Sequence, residues 1–401
     1  MASPKLRFKE FDGDWNSIAI GKFLKIKSGL GFKAEEYSTE QEIRLLQIEN
    51  VGYGAVKWTH NVKFVPTNYL DVHKDLVLKE GDLVLALNRP VTNDQLKIAK
   101  LTQEDSPSIL YQRVGKLDFL KEDIDKEFIF QIFKKDVKNY VLNSSIGSDQ
   151  PFISTTDLYK HKLCIPLKEE QTKIASFLSA VDEKISQLTK KHELLSQYKQ
   201  GMMQKLFSQQ LRFKADDGSE FREWEEKELK DIAEINPKSK KLPESFIYID
   251  LESVEKGQLL LQKNIELQDA PSRAQRLLAK GDVLFQMVRP YQQNNYYFNL
   301  SGEYVASTGY AQIRTKLDSK FIYYALHEKT FLDEVMNRCT GTSYPAINSS
   351  DLSSIEILIP CLEEQTKIAN FLSAIDQKIE VVAQQIEQAK TWKKGLLQQM
   401  F

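Results

Sequence analysis

Apolar residues in this chain recur with two different periods, and the longest coherent pattern is a seven-residue one. It places Ile174, Val181, Leu188, Leu195 and Met202 at one seam position and Leu178, Ile185 and Leu206 at the other. The frame returns near the end as Ile368, Ile375, Val382, Ala389 and Leu396, with Leu372, Ile379, Ile386 and Met400. Heptads sustained this far without proline predict two long helices with a coiled-coil seam. Pro166 and Pro360 precede them, and the pairs Glu169-Glu170 and Glu363-Glu364 fall in the first turns, where acidic groups complement the helix dipole. His192, Lys199 and Lys393 interrupt the seam, a device that fixes register at a cost in stability. Elsewhere the apolar runs are short. EIRLLQIENV, LDVHKDLVL, GDLVLAL, GDVLFQMV and EYVAST, bounded by Gly, Asn, Pro or Asp, predict strands. DKEFIFQIFKKDVKNYVLNSS and SKFIYYALHEKTFLDEVMNRC, apolar at i, i+3 and i+4, predict helices.

The two long helices are nearly the same sentence written twice. EEQTKIASFLSAVDEKI (169–185) reappears as EEQTKIANFLSAIDQKI (363–379), an offset of 194, differing only at Ser176/Asn370, Val181/Ile375 and Glu183/Gln377. The offset extends upstream, aligning GSDQPFISTTDLYKHKLCIP (147–166) with GTSYPAINSSDLSSIEILIP (341–360). KEGDLVLALNRP (79–90) matches AKGDVLFQMVRP (279–290) at an offset of 200, and a weaker pair surrounds Trp15 and Trp224. The chain therefore reads as an internal repeat of one unit, a globular part followed by a long helix. The expected fold class is α+β: two similar mixed α/β domains, residues 1–165 and 210–359, separated by two long helices, 166–209 and 360–401. A helix of ~40 residues is roughly 60 Å long. The first is expected to carry the chain from one domain to the other, and the second to return antiparallel, relating the halves by a pseudo-twofold axis.

Composition narrows the function. At 401 residues, 41% hydrophobic and 28% charged, the chain suits two soluble domains, and no apolar run approaches the ~20 residues that span a bilayer. The first residues lack the apolar core of a secretory signal, so the expectation is a cytoplasmic protein with no membrane association. Three widely spaced cysteines without a CxxC favour neither a disulfide framework nor a zinc site. A net charge of −1 gives no global attraction to nucleic acid, so any DNA contact must rest on local groups or on a partner's charge. Catalytic signatures are missing: no GxxxxGK[ST] loop, no HExxH, no GxSxG, and five histidines without ligand spacing. GLG at 29–31 reads as a turn, and Asn236-Pro237-Lys238 is only a partial echo of the NPPY type of motif that holds a flipped base.

Polar recognition chemistry stands at matched places instead. QMVRPYQQNNYYFN (286–299) has no acidic residue and offers Arg289, Tyr291, Gln292, Gln293, Asn294, Asn295 and Tyr296. ALNRPVTNDQLK in the first half offers Asn88, Arg89, Thr92, Asn93 and Lys97. Arg pairs bidentately with guanine and Asn or Gln with adenine, while Tyr stacks or reaches a phosphate. A polar turn after a core strand accounts for the same residues. Two loops preceding the long helices add Ser148 and Gln150, and Thr342, Ser343 and Tyr344; Lys238, Lys240 and Lys241 form a small basic cluster suited to phosphate.

The two copies of IP-x2-EEQTKIA-x-FLSA, the G-x3-P-x-I-x3-DL segments before them, the two GD strands and the order domain, helix, domain, helix resemble the specificity subunit of type I restriction-modification systems over essentially the whole chain. The resemblance implies a non-catalytic protein whose two target recognition domains each read one half of a bipartite, asymmetric double-stranded DNA sequence. It implies that the repeated helices set the half-site spacing and dock two adenine methyltransferase subunits. Glu170, Gln171, Ile174, Phe177, Leu178, Val181 and Ile185 would supply that docking and coiled-coil surface, as would Glu364, Gln365, Ile368, Phe371, Leu372, Ile375 and Ile379. Restriction subunits with translocase activity would complete the enzyme. No cofactor is expected in this chain, with S-adenosylmethionine, ATP and magnesium belonging to the partners. Two other readings compete: a self-sufficient methyltransferase or nuclease with an unfamiliar motif, and a coiled-coil scaffold. If the helices set spacing, inserting residues at Gln209-Gln210 changes the gap between half-sites and leaves their letters intact; methylome mapping reads both, and altered letters with a fixed gap would count against it.

Overall fold

Leu83, Val84, Leu85 and Ala86 are all buried, and the same holds for Val283, Leu284, Phe285 and Gln286. That is why the two GD segments show continuous apolar runs rather than alternation: each strand is covered on both faces. In the computed structural model, which describes residues 4–144, 152–239 and 241–401, these strands are central to two units. One comprises Met1–Leu188 with Gln384–Phe401, the other Thr189–Ala383.

In the first unit a five-stranded sheet has the order Leu24–Ser28, Val114–Phe119, Leu83–Ala86, Ile98–Lys100, Tyr53–Ala55, antiparallel except for its last pair. A second sheet has the order Phe64–Val65, Ile43–Leu46, Ser108–Leu110, Val77–Leu78, with a parallel central pair. Val84 and Ala86 face the core shared with Leu45, Leu46 and Ile109. Leu83 and Leu85 face the other way, toward Phe23, Phe128, Phe133 and the long helices.

The second unit repeats this plan. Its first sheet runs Ala233–Ile235, Tyr310–Thr315, Val283–Gln286, Tyr296–Tyr297, and its second runs Lys263–Glu266, Ser245–Ile249, Tyr304–Ser307, Ala274–Leu277, again with a parallel central pair. In both units a two-stranded ribbon joins the strand after the matched tryptophan to the strand leading into a long helix: Asn16–Ala19 with Lys162–Ile165, and Glu225–Glu228 with Glu356–Ile359. The GD dipeptides have one role. Gly81 (φ 79°) and Gly281 (φ 94°) occupy the left-handed region. Asp82 and Asp282 close the turn onto the amides of Lys79 and Ala279 and hold a cation from the next strand, Lys116 or Arg314.

Three expectations change. LDVHKDLVL is mostly not a strand: Tyr69–Val72 is a helical turn, Lys74–Leu76 a 3-10 turn, and only Val77–Leu78 pairs. The turn starts where the Tyr69 amide bonds to the Pro66 carbonyl, and Val72 faces solvent, so the apparent alternation marks no buried face. Each long predicted helix is two helices. Lys126–Phe133 and Asp136–Ser144 break at Lys134-Lys135, and Ser319–Ala325 and Lys329–Asn337 break where Glu328 caps the second.

The long helices are Lys168–Phe207 and Leu362–Met400, and each is divided between the units. Within the first unit Ile174, Leu178 and Val181 pack with Leu396 and Met400; within the second, Ile368, Leu372 and Ile375 pack with Leu206. The seam-breaking lysines are partnered in antiparallel register, Lys393 with Asp182 in the first unit and Lys199 with Asp376, at 2.6 Å, in the second.

The EEQT signature closes each unit by the same set of bonds. The buried Glu170 carboxylate takes both ends of the Arg7 guanidinium at 2.7 Å and the Trp15 indole N–H at 3.4 Å. Glu364 takes Arg212 at 3.2 and 2.9 Å and Trp224 at 3.1 Å. Gln171 donates to the Pro166 carbonyl at 3.0 Å and accepts from the Asp125 amide at 2.8 Å; Thr172 donates to the Asp125 carboxylate. Gln365 and Thr366 do the same with Pro360 and Asp318. Asp125 and Asp318 in turn cap the first helix of their pair, receiving the amides of Phe128 and Phe321 at 3.0 Å.

Asp182 also bonds Lys134 at 3.3 Å. Burial works against the Asp182 charge, but Lys134 and Lys393 outweigh it and hold its carboxyl below the usual range. Burial, reinforced by Lys393, pushes the Lys134 amine down to about 8 from 10.5. Between those two pH values the unfolded chain binds a proton that the folded one does not, so stability rises with pH across that window. Stability of the first unit is therefore expected to rise with pH between about 8 and 10.5 in urea titrations, and Lys134→Met to abolish that rise. Glu170→Ala leaves the half-buried Arg7 guanidinium and the buried Trp15 indole without their acceptor and is expected to cost about 1–3 kcal/mol. Hydrogen exchange would show the loss in Asn16–Ala19 and spare Glu225–Glu228.

Candidate nucleic-acid interface

Each GD strand ends in an arginine-proline pair whose arginine is left-handed, Arg89 at φ 44° and Arg289 at φ 53°. Side chains rarely adopt this conformation, and persistent examples concentrate at functional sites. Beyond the arginine the two units differ. In the first, Val91–Thr92 and Gln95–Leu96 form a hairpin whose two turn residues, Asn93 (φ 51°) and Asp94 (φ 54°), are both left-handed, as a tight primed turn requires. The Tyr53 hydroxyl steadies its tip, 2.7 Å from the Thr92 hydroxyl and accepting from the Asn93 side-chain Nδ2 at 3.4 Å. In the second, Pro290–Gln292 makes a single 3-10 turn that ends at the left-handed Gln293.

In each unit residues on the way to the long helix, Phe152-Ile153 and Ala346-Ile347, lie beside this strand end. Asn88 bridges Phe152, and the Ile153 amide bonds to Leu87; Val288 bridges Ala346, and the Ile347 amide bonds to Met287. In the second unit the Arg289 amide donates to the Pro345 carbonyl at 2.7 Å, and its guanidinium lies 4.1 Å over the Tyr344 ring. Tyr344 is 63% exposed and Tyr291 50%, and Thr342 and Ser343 are exposed with them. One guanidinium, two open aromatic faces and two hydroxyl side chains thus share one edge. Such a set stacks on and hydrogen-bonds to nucleobases or phosphates. Lys238 and Lys241 are exposed; Lys240, Ser148 and Gln150 lie outside the described residues.

Several residues expected in this interface are internal. Asn295 is buried, its side-chain oxygen accepting from the Gln286 amide at 2.8 Å, and Tyr296 is a buried strand residue. Asn294 accepts from the Lys256 amide, Gln292 from the Gln286 side chain, and Gln293 donates to the His327 carbonyl. The QQNN run is largely a brace that shapes the loop: a short turn leaves many backbone groups unpaired, and amide side chains satisfy them. Lys97 is a strut as well, donating to the Ile48 carbonyl at 2.6 Å, with burial lowering its pKa. Asn88 is half-buried, while Arg89, Thr92 and Asn93 remain exposed.

The helix residues expected to dock a partner are also mostly spent inside. Glu170, Gln171, Ile174, Leu178 and Val181 are buried in the first unit, and Glu364, Gln365, Ile368, Leu372 and Ile375 in the second. Phe177 and Phe371, Ile185 and Ile379 are half-buried; Phe177 meets Phe8 and Trp392, and Phe371 meets Phe213. The residues that complete the glutamate clusters, Arg7 and Arg212, carried no signal of their own in the sequence; only the matched tryptophans hinted at them. Among the described residues no group of three or more His, Cys, Asp or Glu could hold a metal ion, and no helix is long and apolar enough to cross a membrane.

The chain matches the type I restriction modification DNA specificity domain twice, over residues 12–196 and 222–391. It is 38% identical over 215 residues to the type I restriction enzyme MjaVIII specificity subunit of Methanocaldococcus jannaschii, covering 52% of this chain and 49% of that protein. It is 28% identical over 195 residues to the EcoAI specificity subunit of Escherichia coli, covering 48% of this chain and 32% of that protein. These matches span about half and about a third of those relatives. In fold it is similar to the S subunit of a type I restriction-modification system from M. genitalium, with a TM-score of 0.63 at 16% identity over 100% of this chain and 99% of that one. The two matched domains cover most of the chain and coincide with its two internal copies, and the chain belongs to the type I restriction-modification DNA specificity family.

Proposed function

We propose that this chain is a non-catalytic specificity subunit that reads an asymmetric, two-part sequence in double-stranded DNA and delivers it to adenine methyltransferase subunits. The observation that carries the reading is one framework holding two different loops. The order of the second sheet, the GD turns, glutamate clusters and left-handed arginines match between the units; the chain after each arginine-proline pair does not. A reader of two unlike half-sites needs this combination, because the framework fixes the loop against the groove and the loop supplies the letters.

Two methyltransferase copies would meet matched surfaces. The EEQT residues are internal, so docking falls on exposed positions repeated at the offset of 194, of which Tyr198 (51% exposed) and Trp392 (54%) are the aromatic pair. Tyrosine and tryptophan are enriched in binding hot spots. A net charge of −1 requires those partners to supply much of the phosphate-neutralising surface. The target adenine would be flipped into a methyltransferase pocket, leaving this chain to set register, and S-adenosylmethionine, ATP and magnesium would act in the methyltransferase and restriction subunits.

The test is methylation by the chain combined with its methyltransferase. The expected product is one fixed bipartite motif; methyl transfer by this chain alone, or methylation without a motif, contradicts the reading. Arg289→Ala is expected to relax one letter of one half-site by about 1–3 kcal/mol of discrimination. A uniform loss over all sequences would assign Arg289 to a phosphate instead.

A further inference from the structure

The chain has eleven arginines. Six hold an acceptor inside the fold: Arg7 and Arg212 in the glutamate clusters, Arg314 on Asp282, and Arg44, Arg222 and Arg338 on nearby carbonyl, carboxylate or hydroxyl oxygens. For the other five, Arg89, Arg113, Arg273, Arg276 and Arg289, the guanidinium has no hydrogen-bond acceptor or carboxylate among the described residues. The division is spatial. In the first unit the Leu87 amide donates to the Arg113 carbonyl at 2.9 Å, so Arg113 leaves the chain beside the strand end that carries Arg89. In the second, the Met287 amide bonds to Gly309 and the adjoining Thr308 amide to the Arg273 carbonyl at 2.9 Å. Arg273 therefore borders the strand end that carries Arg289. Arg276 follows on the strand Ala274–Leu277, opposite Ala306, and the Nε atoms of Arg276 and Arg289 are buried without an acceptor.

Arginines kept only for solubility need no special backbone, yet Arg113 is left-handed (φ 66°), like Arg89 and Arg289. It occupies the third position of the turn 111–114, closed by the Val114 amide on the Tyr111 carbonyl at 3.3 Å, where glycine or asparagine is the unstrained choice. An exposed arginine at such a position, without an acceptor among the described residues and next to a second such arginine, points to a role for what its side chain reaches. The rigid fork of the guanidinium matches guanine O6 and N7, and a base contact is separated from a phosphate contact by whether its loss relaxes one letter or weakens all sequences alike.

We infer that Arg113 in the first unit and Arg273 in the second are base-reading residues, each contacting a guanine edge in its own unit's half of the target, so that both half-sites contain a G·C pair. The inference rests on the DNA-reading function proposed above. Its test uses the full chain with its methyltransferase and maps methylated motifs for Arg113→Ala, Arg113→Lys, Arg113→Gly and Arg273→Ala. Arg113→Ala is expected to lower discrimination at one guanine about ten- to hundredfold, leaving the other half-site and the gap unchanged, and Arg273→Ala to do the same in the opposite half-site. Arg113→Lys is expected to relax the same letter less than alanine does, because the flexible ammonium reaches guanine O6 and N7 without the rigid fork. Arg113→Gly relieves the turn and is expected to relax that letter with an unchanged or higher Tm, which separates reading from folding. An unchanged motif in the alanine variants, a uniform loss over all sequences, or a wild-type half-site without guanine would each overturn the inference. Motif-free methylation by the wild-type complex would overturn the proposed function instead.

Discussion

A buried carboxylate that holds a guanidinium and an indole fixes how each unit closes. Glu170 sits in the first turn of a long helix, Trp15 just before the opening strand of the ribbon and Arg7 near the start of the chain; Glu364, Trp224 and Arg212 repeat the arrangement. A carboxylate stripped of water is costly to leave unpaired, so the bonds are made together or the helix start does not dock. The adjoining Gln and Thr bond the aspartate that caps a second helix, coupling helix docking to helix initiation. The EEQT motif is thus the same sequence in both copies because the same internal geometry must be satisfied twice, and a partner's demand for twin docking sites is not needed to explain it.

With closure handled inside each unit, the strand-end loops take no part in the glutamate clusters. The hairpin after Arg89 and the 3-10 turn after Arg289 stand on equivalent strands and share no conformation beyond the arginine-proline pair. Each loop is braced locally, by Tyr53 on one side and by Gln286, Asn294 and Asn295 on the other. The bracing removes conformational entropy that binding would otherwise have to offset.

The helices were legible because their period is long and repeated, and the GD strands because burial on both faces erases alternation. The breaks at Lys134-Lys135 and near Glu328 were not, since capping competes with a continuing apolar pattern that still looks helical across the break. At the candidate interface, composition identified the right segments and misassigned individual residues. Asn295, Tyr296 and Lys97 carry suitable chemistry, but only the fold shows that it is turned inward. Arg7 lies 163 residues from Glu170, beyond the reach of any local pattern. Arg113 and Arg273 sit in unremarkable contexts, and their isolation becomes visible only when the paired arginines have been matched to their acceptors.

The bridges Asp182–Lys393 and Asp376–Lys199 have a reciprocal form: each long helix contributes an aspartate from its earlier part and a lysine from its later part. One such helix therefore carries both halves of the contact, and two copies laid antiparallel would satisfy each other. A surface that complements itself in this way is what isologous, twofold association requires. The duplicated chain keeps the chemistry of a homodimer, and a half-length version of it, one unit with its helix, holds every group needed to rebuild the pairing from two identical chains.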